Sequence, residues 1–273
     1  MENILFAFGL TLFAGLSTGI GSLLALFVKK TNTKFLSISL GFSAGVMIYV
    51  SMIEIFAKAN DSLSKALGSK EGTILTVVSF FMGMILIALI DKLLPKEGNP
   101  HEVKKVEDIH ETGEEEMKEK AKDPKLLRMG MFTAIAIAIH NFPEGLATFV
   151  SALQDPSIAI PVAAAIAIHN IPEGIAVSVP VYYATGSRKK AFKYSFLSGV
   201  TEPIGAVVGF LILMPIMNDI VYGIIFAGVA GIMVFISLDE LLPAAREYGE
   251  HHLSIYGLMA GMAVMATSLI LFM

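Results

Sequence analysis

Long apolar runs separated by short polar stretches account for nearly all of the 273 residues. The runs fall at about 4–28, 35–57, 72–92, 128–152, 158–183, 191–215, 219–242 and 254–272, and several exceed the ~18 apolar residues that mark a spanning helix. Lipid offers the backbone no hydrogen-bond partners, so runs of this length are expected to be α-helices. The pattern predicts an all-α polytopic membrane protein with eight spans, forming a single transmembrane domain over residues 1–273. Only one long polar stretch interrupts it. Lys92 to Arg128 holds nine Lys/Arg and ten Asp/Glu with few large apolar residues, and reads as a flexible solvated loop at about 93–127. Met1, Glu2 and Asn3 lack a basic leader, and the run after them is too long for the apolar core of a signal peptide. It is read as the first span.

Composition agrees with the pattern. The chain is 55% hydrophobic and only 16% charged, with a mean hydropathy of +0.70, whereas a soluble domain carries about a quarter charged residues. There is no cysteine, which excludes disulfides, thiolate metal sites and thiol catalysis. The net charge of −4 says less than where the charges sit. With eight spans, the segments after spans 1, 3, 5 and 7 carry 17 of the 20 Lys/Arg, and the other side holds only Lys58, Lys65 and Lys70. The excess of basic residues places the first group in the cytoplasm and both termini outside.

Three internal repeats are visible. AIHNFPEG, with His140 to Gly145, recurs as AIHNIPEG, with His169 to Gly174, on consecutive and therefore oppositely directed spans. Ala44 to Ser51 with Glu54 matches Ala230 to Ser237 with Glu240, on spans 2 and 7. More weakly, Gly15, Ile20 and Gly21 on span 1 match Gly199, Ile204 and Gly205 on span 6. Similar sequences in opposite orientations predict an inverted repeat of helices 1–3 against 6–8, with helices 4 and 5 central. Transporters built this way hold their substrate near the membrane midplane, at the repeat interface.

The chemistry sits in the duplicated motif. Residues at i, i+3 and i+4 share a helix face, so His140, Asn141 and Glu144 form one polar patch and His169, Asn170 and Glu173 a second. At ~1.5 Å per residue, His140 lies ~18 Å from the inner end of span 4 and His169 ~16 Å from the outer end of span 5. Both fall near the middle of a ~30 Å hydrocarbon core, and Glu202 on span 6 reaches a similar depth. Pro143, Pro172 and Pro203 each leave a carbonyl four residues earlier without its helical donor, and such carbonyls are tolerated at membrane depth where they line a cavity. Three buried carboxylates each cost about 2.5–3.5 kcal/mol to insert, and one or two divalent cations offset that. Imidazole with carboxylate suits zinc and similar borderline ions. The plainer reading is a set of helix–helix hydrogen-bond partners, which suits a lone His better than a duplicated cluster.

At these residues the chain resembles the ZIP family of metal-ion transporters, and within it the ZupT-type bacterial group. The resemblance covers nearly the whole chain. It is carried by HNFPEGLATFV from His140, HNIPEGIAVSVPVY from His169, ATGSRKK from Ala184, SGVTEPIGAV from Ser198, GFSAGVMIYVSMIE from Gly41 and AGIMVFISLDELLP from Ala230. It implies eight helices in the cell membrane, termini outside, and import of divalent transition-metal ions, zinc foremost, with iron, manganese, cobalt and cadmium as further cargo. It also implies a central site, for one or two metal ions, on helices 4, 5 and 6. Carried over by motif, its metal ligands are His140, Asn141, Glu144, His169, Asn170, Glu173 and Glu202. An elevator-like movement of one helix bundle against another and a homodimer belong to the same expectation. The expected partners are divalent metal ions and the bilayer, not nucleic acid, and no catalytic cofactor is expected.

An intramembrane metal hydrolase is the main competing class. The chain has neither HExxH for such an enzyme nor GxxxxGK[ST] for an ATP-driven pump, and an inverted repeat has no catalytic rationale. A channel-like pathway stays open beside a carrier. Among secondary candidates, Glu54 and Glu240 (beside Asp239) read either as acidic way-stations on the two sides of the site or as interfacial charges. Asp91 reads as an interfacial charge. His101 and His110 fall in the solvated loop, and His251 and His252 follow Glu247 and Glu250 in a polar connection. The 15 methionines are scattered and read as packing residues.

Overall fold

The computed structural model describes residues 2–27, 33–93, 138–139, 141–150, 152–153, 156–248 and 251–271. All of the regular structure among them is helical. Helix α1 is Glu2–Phe27. Helix α2, Thr33–Tyr49, passes through a π-helical turn at Val50–Ile55 into α3, Phe56–Leu67. Helix α4 is Ser69–Leu93, and residues 141–150 form α5. Helix α6 is Pro156–Thr185 and α7 is Arg188–Val208, which runs on through a π-helical turn at Gly209–Leu213 and a short 3-10 turn at Met214–Ile216. Helix α8, Asp219–Ile236, passes through a π-helical turn at Ser237–Leu241 into α9, Leu242–Tyr248. Helix α10 is His251–Leu271. Among the described residues, six stretches are long and apolar enough to cross a membrane, namely those beginning at Asn3, Ser37, Ser69, Arg188, Asp219 and His252.

The connections are tight where sequence chemistry demands it. Gly186, at φ 60°, turns the chain between α6 and α7, and Gly68, at φ 95°, turns it between α3 and α4; left-handed backbone of this kind favours glycine. The Ser187 hydroxyl then accepts from the Lys190 N–H at 3.3 Å and caps α7. Asn218 caps α8 in the same way, accepting from the N–H groups of Ile220 and Val221 at 3.0 Å.

Several helix ends differ from the sequence expectation. The second span is expected to end at 57, but the helical path continues to Leu67. Its last stretch is polar yet amphipathic, and it buries Ala59 and Leu63 against its neighbours α4 and α8, so tertiary packing extends it past the apolar run. The seventh span likewise runs beyond 242 to Tyr248. Lys58 and Lys65 lie within a helix, and Arg188 to Lys190 form the first turn of α7, which leaves only Gly186 and Ser187 as the connection. Most of span 4 before Ala138 and the polar stretch from Leu94 on lie outside the described residues.

The helices pack in two sets, which touch each other where α6 meets α2 and α10. In one, α1 lies against α6 and α7, which also touch each other; in the other, α2 lies against α10, and α8 against α3 and α4. Small residues permit the close approaches, as expected where lipid supplies no hydrophobic drive between helices. The contacts come in matched pairs. A side chain at Gly45 would run into the Leu258 carbonyl, and one at Gly231 into the Phe80 carbonyl. Gly83 stands in the same way against Gly228, and Gly261 against Phe42. Every one of these contacts maps onto its mate when span 2 is laid on span 7 and span 3 on span 8. The other set behaves alike. Gly15 and Gly199 each face the other's carbonyl, Gly21 meets Ile171 as Gly205 meets Phe142, and Gly174 meets Thr18 as Gly145 meets Glu202.

Between the two sets, α4 and α8 face α5 and α7 across a cavity of about 560 Å³ lined by apolar residues such as Leu86, Ile90, Phe142, Pro143 and Ile232, with Thr201 at its edge. The glycine contacts give a direct test. Gly45→Ala forces a methyl group into the Leu258 backbone, at an overpacking cost of about 1–3 kcal/mol. Gly9→Ala meets nothing within 4 Å. Thermal unfolding in detergent should show a lower midpoint for the first and no loss for the second. Equal midpoints would contradict the packing described.

Candidate metal centre

Two of the repeat's polar residues act as struts between helices. Asn170, on α6, donates through Nδ2 to the Ala14 carbonyl of α1 at 2.8 Å and to Glu202 Oε1 of α7 at 2.5 Å. Asn141, on α5, donates to the Ser198 carbonyl of α7 at 3.3 Å. Each of these carbonyls also accepts from a hydroxyl one turn on, Ala14 from Ser17 and Ser198 from Thr201, both at 2.5 Å. The two halves are thus built alike, with a carbonyl, a hydroxyl and an asparagine in the same relation. Four helices meet at this point.

The carboxylates gather around the struts. Glu144 and Glu202 are wholly buried, and Glu173 is 5% exposed. Glu144 and Glu173 both lie within electrostatic reach of Glu202. Thr148 donates to the Glu144 carbonyl at 2.9 Å, and Ser195 to the Gly174 carbonyl at 3.2 Å, which ties the backbone beside Glu144 and Glu173. Among the described residues, no hydrogen-bond partner reaches Glu202 Oε2 or the Oδ1 atoms of Asn141 and Asn170. Buried oxygens in this condition are costly, and a cation satisfies several of them together.

Of the seven residues the sequence singles out, the structure brings Asn141, Glu144, Asn170, Glu173 and Glu202 into one buried neighbourhood. His140 lies outside the described residues, and His169 is placed on α6 by its backbone. Among the described residues, no group of three or more acidic or histidine side chains is arranged to hold a metal. Sequence reasoning missed the Ala14 and Ser198 carbonyls, the Ser17 and Thr201 hydroxyls, and the part played by α1 as a whole. The signal was present in the third repeat, which pairs Gly15 with Gly199 and, extended by a few residues, pairs Ser17 with Thr201.

The secondary candidates sit on other elements. Glu54 sits in the π-helical turn Val50–Ile55 and pairs with Lys58 at 3.0 Å. Its repeat mate Glu240 sits in the corresponding π-helical turn, Ser237–Leu241, beside an exposed Asp239. Two such turns at matched places are a structural feature of the repeat, and π-turns of this kind gather at functional sites. His252 is exposed and stacks on Tyr256 with ring centres 6.2 Å apart. His101 and His110 lie outside the described residues, as does the side chain of His251.

A family model described as ZIP zinc transporter matches residues 4–269. A protein of Oceanobacillus iheyensis named zinc transporter ZupT is 66% identical over 271 residues, which cover 99% of each chain. A protein of the same name from Lysinibacillus sphaericus is 65% identical over 98% of each chain. Another from Clostridium perfringens is 65% identical, covering 100% of this chain and 98% of its own.

The strut geometry sets an order of effects. Asn170 holds two bonds, one of them to a carboxylate, and hydrogen bonds to charged groups contribute about 1.5–3 kcal/mol against about 1 for neutral ones. Asn170→Ala should therefore lower the unfolding midpoint of chelator-treated protein more than Asn141→Ala does. Scanning both variants by calorimetry checks it, and the reverse order would contradict the geometry.

Proposed function

The chain belongs to the ZIP family of zinc transporters, and on that premise we propose that it imports zinc into the cytoplasm through a site formed by His140, Asn141, Glu144, His169, Asn170, Glu173 and Glu202. The family is one of transporters, in keeping with the expectation that the chain is not an enzyme. The observation that carries the site is the convergence of Asn141, Asn170 and three buried carboxylates on one neighbourhood among α1, α5, α6 and α7. The histidines belong to it by motif. Imidazole and carboxylate together favour zinc, and carboxylate with amide oxygen also admits iron, manganese, cobalt and cadmium.

The architecture proposed is eight spans with an inverted repeat, both termini outside and the cluster near the midplane. The matched glycine contacts support the repeat, because those of Gly45, Gly83, Gly15, Gly21 and Gly145 each have a counterpart in the other half. The division of the helices into two closely packed sets, with an apolar cavity between them, supports a carrier in which one set moves against the other. Burying three carboxylates without a counter-ion is unfavourable, so a divalent ion stabilises the loaded cluster and protons do so when no metal is bound. The polar stretch around 93–127 is assigned no role in metal binding.

Zinc uptake into proteoliposomes is the direct test. Glu144→Ala should reduce uptake by more than about tenfold, the lower end of what disturbing even an outer-shell partner of a metal costs. The double variant His101→Ala, His110→Ala should stay within about twofold of wild type, as expected for a solvated segment. Normal uptake by Glu144→Ala at matched reconstitution would sink the site. Protons also compete with metal for imidazole and carboxylate, so apparent zinc affinity should weaken as pH falls from about 7 to about 5. A flat affinity over that range would argue against these ligands.

A further inference from the structure

The two halves of the central cluster match at their asparagines, motif glutamates and close-contact glycines, and depart from each other where Ala14 stands for Ser198, Thr18 for Glu202 and Gly19 for Pro203. In one half Asn170 reaches the Ala14 carbonyl and then the Glu202 carboxylate. In the other, Asn141 reaches the Ser198 carbonyl, and the residue in the position of Glu202 is Thr18. The glycine contacts fix that correspondence independently: a side chain at Gly174 would meet the Thr18 carbonyl, as one at Gly145 would meet that of Glu202. A side chain at Gly199 would stand 3.0 Å from Thr18 Oγ1, and one at Gly15 would stand 3.4 Å from the Glu202 Cβ. Thr18 is wholly buried. Among the described residues its hydroxyl has no hydrogen-bond partner, and neither has the Oδ1 of Asn141. Most buried threonines on an apolar helix donate to a carbonyl one turn back, as Thr11 does to Ala7 at 3.0 Å. Thr18 does not, although it stands one turn from a carbonyl that accepts from Ser17 and Asn170.

We propose that the Thr18 hydroxyl is a further metal-binding group of the central site, supplied by α1, and that it stands where the repeat would otherwise place a fourth carboxylate. The inference deepens the proposed function and rests on it. Its chemistry follows from charge. Three carboxylates already surround the cluster, and affinity for a divalent ion rises with the number of charged ligands. A fourth would hold the ion too firmly for release to either side. A hydroxyl supplies an oxygen without the charge, so the site keeps a ligand on its α1 side at a lower affinity. Neutral oxygen matters more to ions that prefer oxygen ligands than to zinc, which takes imidazole well. Thr18 is thus a selectivity group, and its loss tilts the site away from manganese relative to zinc.

The experiment measures zinc uptake into proteoliposomes, and its inhibition by manganese, for wild type, Thr18→Val, Thr18→Ala, Thr18→Ser and Glu144→Ala. Thr18→Val keeps the shape of the side chain, and Thr18→Ala removes more volume. Both lack the oxygen and should weaken manganese inhibition by about fivefold, the scale of one neutral polar contact. The KM for zinc should move by less than about twofold, and Thr18→Ser should behave as wild type. The inference is overturned by any of three results: an effect that follows volume (present in Thr18→Ala and absent in Thr18→Val), an equal shift for both metals, or failure of Thr18→Ser to restore wild-type behaviour. Wild-type uptake that manganese does not inhibit overturns it as well. The Glu144→Ala arm separates this from the underlying reading. If wild type takes up zinc and Glu144→Ala does not, the site stands and only Thr18 is judged by these outcomes. If wild type fails to take up zinc, or Glu144→Ala takes it up normally, the proposed function itself falls and the inference with it.

Discussion

Three carboxylates buried among apolar helices are the constraint on which the rest of this molecule depends. Glu144, Glu173 and Glu202 have almost no exposure, and lipid offers none of them water. Their burial is tolerable only if the surrounding groups are fixed and polar and if positive charge arrives to complete the set. The fixed groups are the asparagines of the duplicated motif, whose amides reach across to neighbouring helices. Asn170 alone joins three of them, α6 to α1 through Ala14 and to α7 through Glu202. This polar neighbourhood therefore also locks the helices of its own set together, which makes the struts structural and, on the proposed reading, functional as well.

The same constraint explains the glycines. Asparagine is short, so its amide can reach a neighbouring carbonyl only if the helices lie close, and close approach requires that one backbone offer no side chain to the other. Gly15 and Gly199 face each other between α1 and α7, and Gly145 and Gly174 do the same work beside Glu202 and Thr18. The second set, α2, α3, α4, α8 and α10, is held by its own glycine contacts, and there an asparagine takes part only as an acceptor, Asn60 of α3 from the Thr76 hydroxyl of α4 at 3.4 Å. One set is thus built around the polar cluster and the other around apolar packing, with an apolar cavity where they face each other. A boundary of that kind has few directional bonds to break when the sets shift, which suits the carrier reading.

Much of this was legible in the sequence because the relevant signals are long or duplicated. Apolar runs of spanning length declare helices directly, and HNxPEG written twice declares a polar cluster where none is expected. What escaped were features fixed by tertiary contact. The extension of the second span to Leu67 carries Asn60, Asp61 and Lys65, which no hydropathy argument would place in its helix; packing of Ala59 and Leu63 decides it. The π-turns around Glu54 and Glu240 have no composition signature, although their recurrence at matched places follows from the repeat. The role of α1 was hidden for a plainer reason. Ala14 contributes only a backbone carbonyl, and serine or threonine on an apolar helix is ordinary, so nothing about Ser17 or Thr18 stands out until its partner on α7 is known.

Thr18 then becomes informative because it is where the repeat lacks a carboxylate. A sequence that duplicates its asparagines, its motif glutamates and the bracing hydroxyls Ser17 and Thr201 shows that both halves can hold such groups, so the one carboxylate without a counterpart calls for a reason of its own. The backbones at Thr18 and Glu202 meet matching glycines, Gly174 and Gly145, although Gly19 follows the first and Pro203 the second. On the proposed reading the reason is charge. With the carboxylate on α7 only and all three ionised, the cluster would carry three negative charges, and one divalent ion would leave a single charge for a proton, a histidinium or a second ion to balance. Two carboxylates facing each other across the repeat axis would demand a second ion or two protons at every step of a transport cycle. On the proposed reading, the hydroxyl at residue 18 keeps α1 in contact with the ion while leaving the cluster close enough to neutrality to release it.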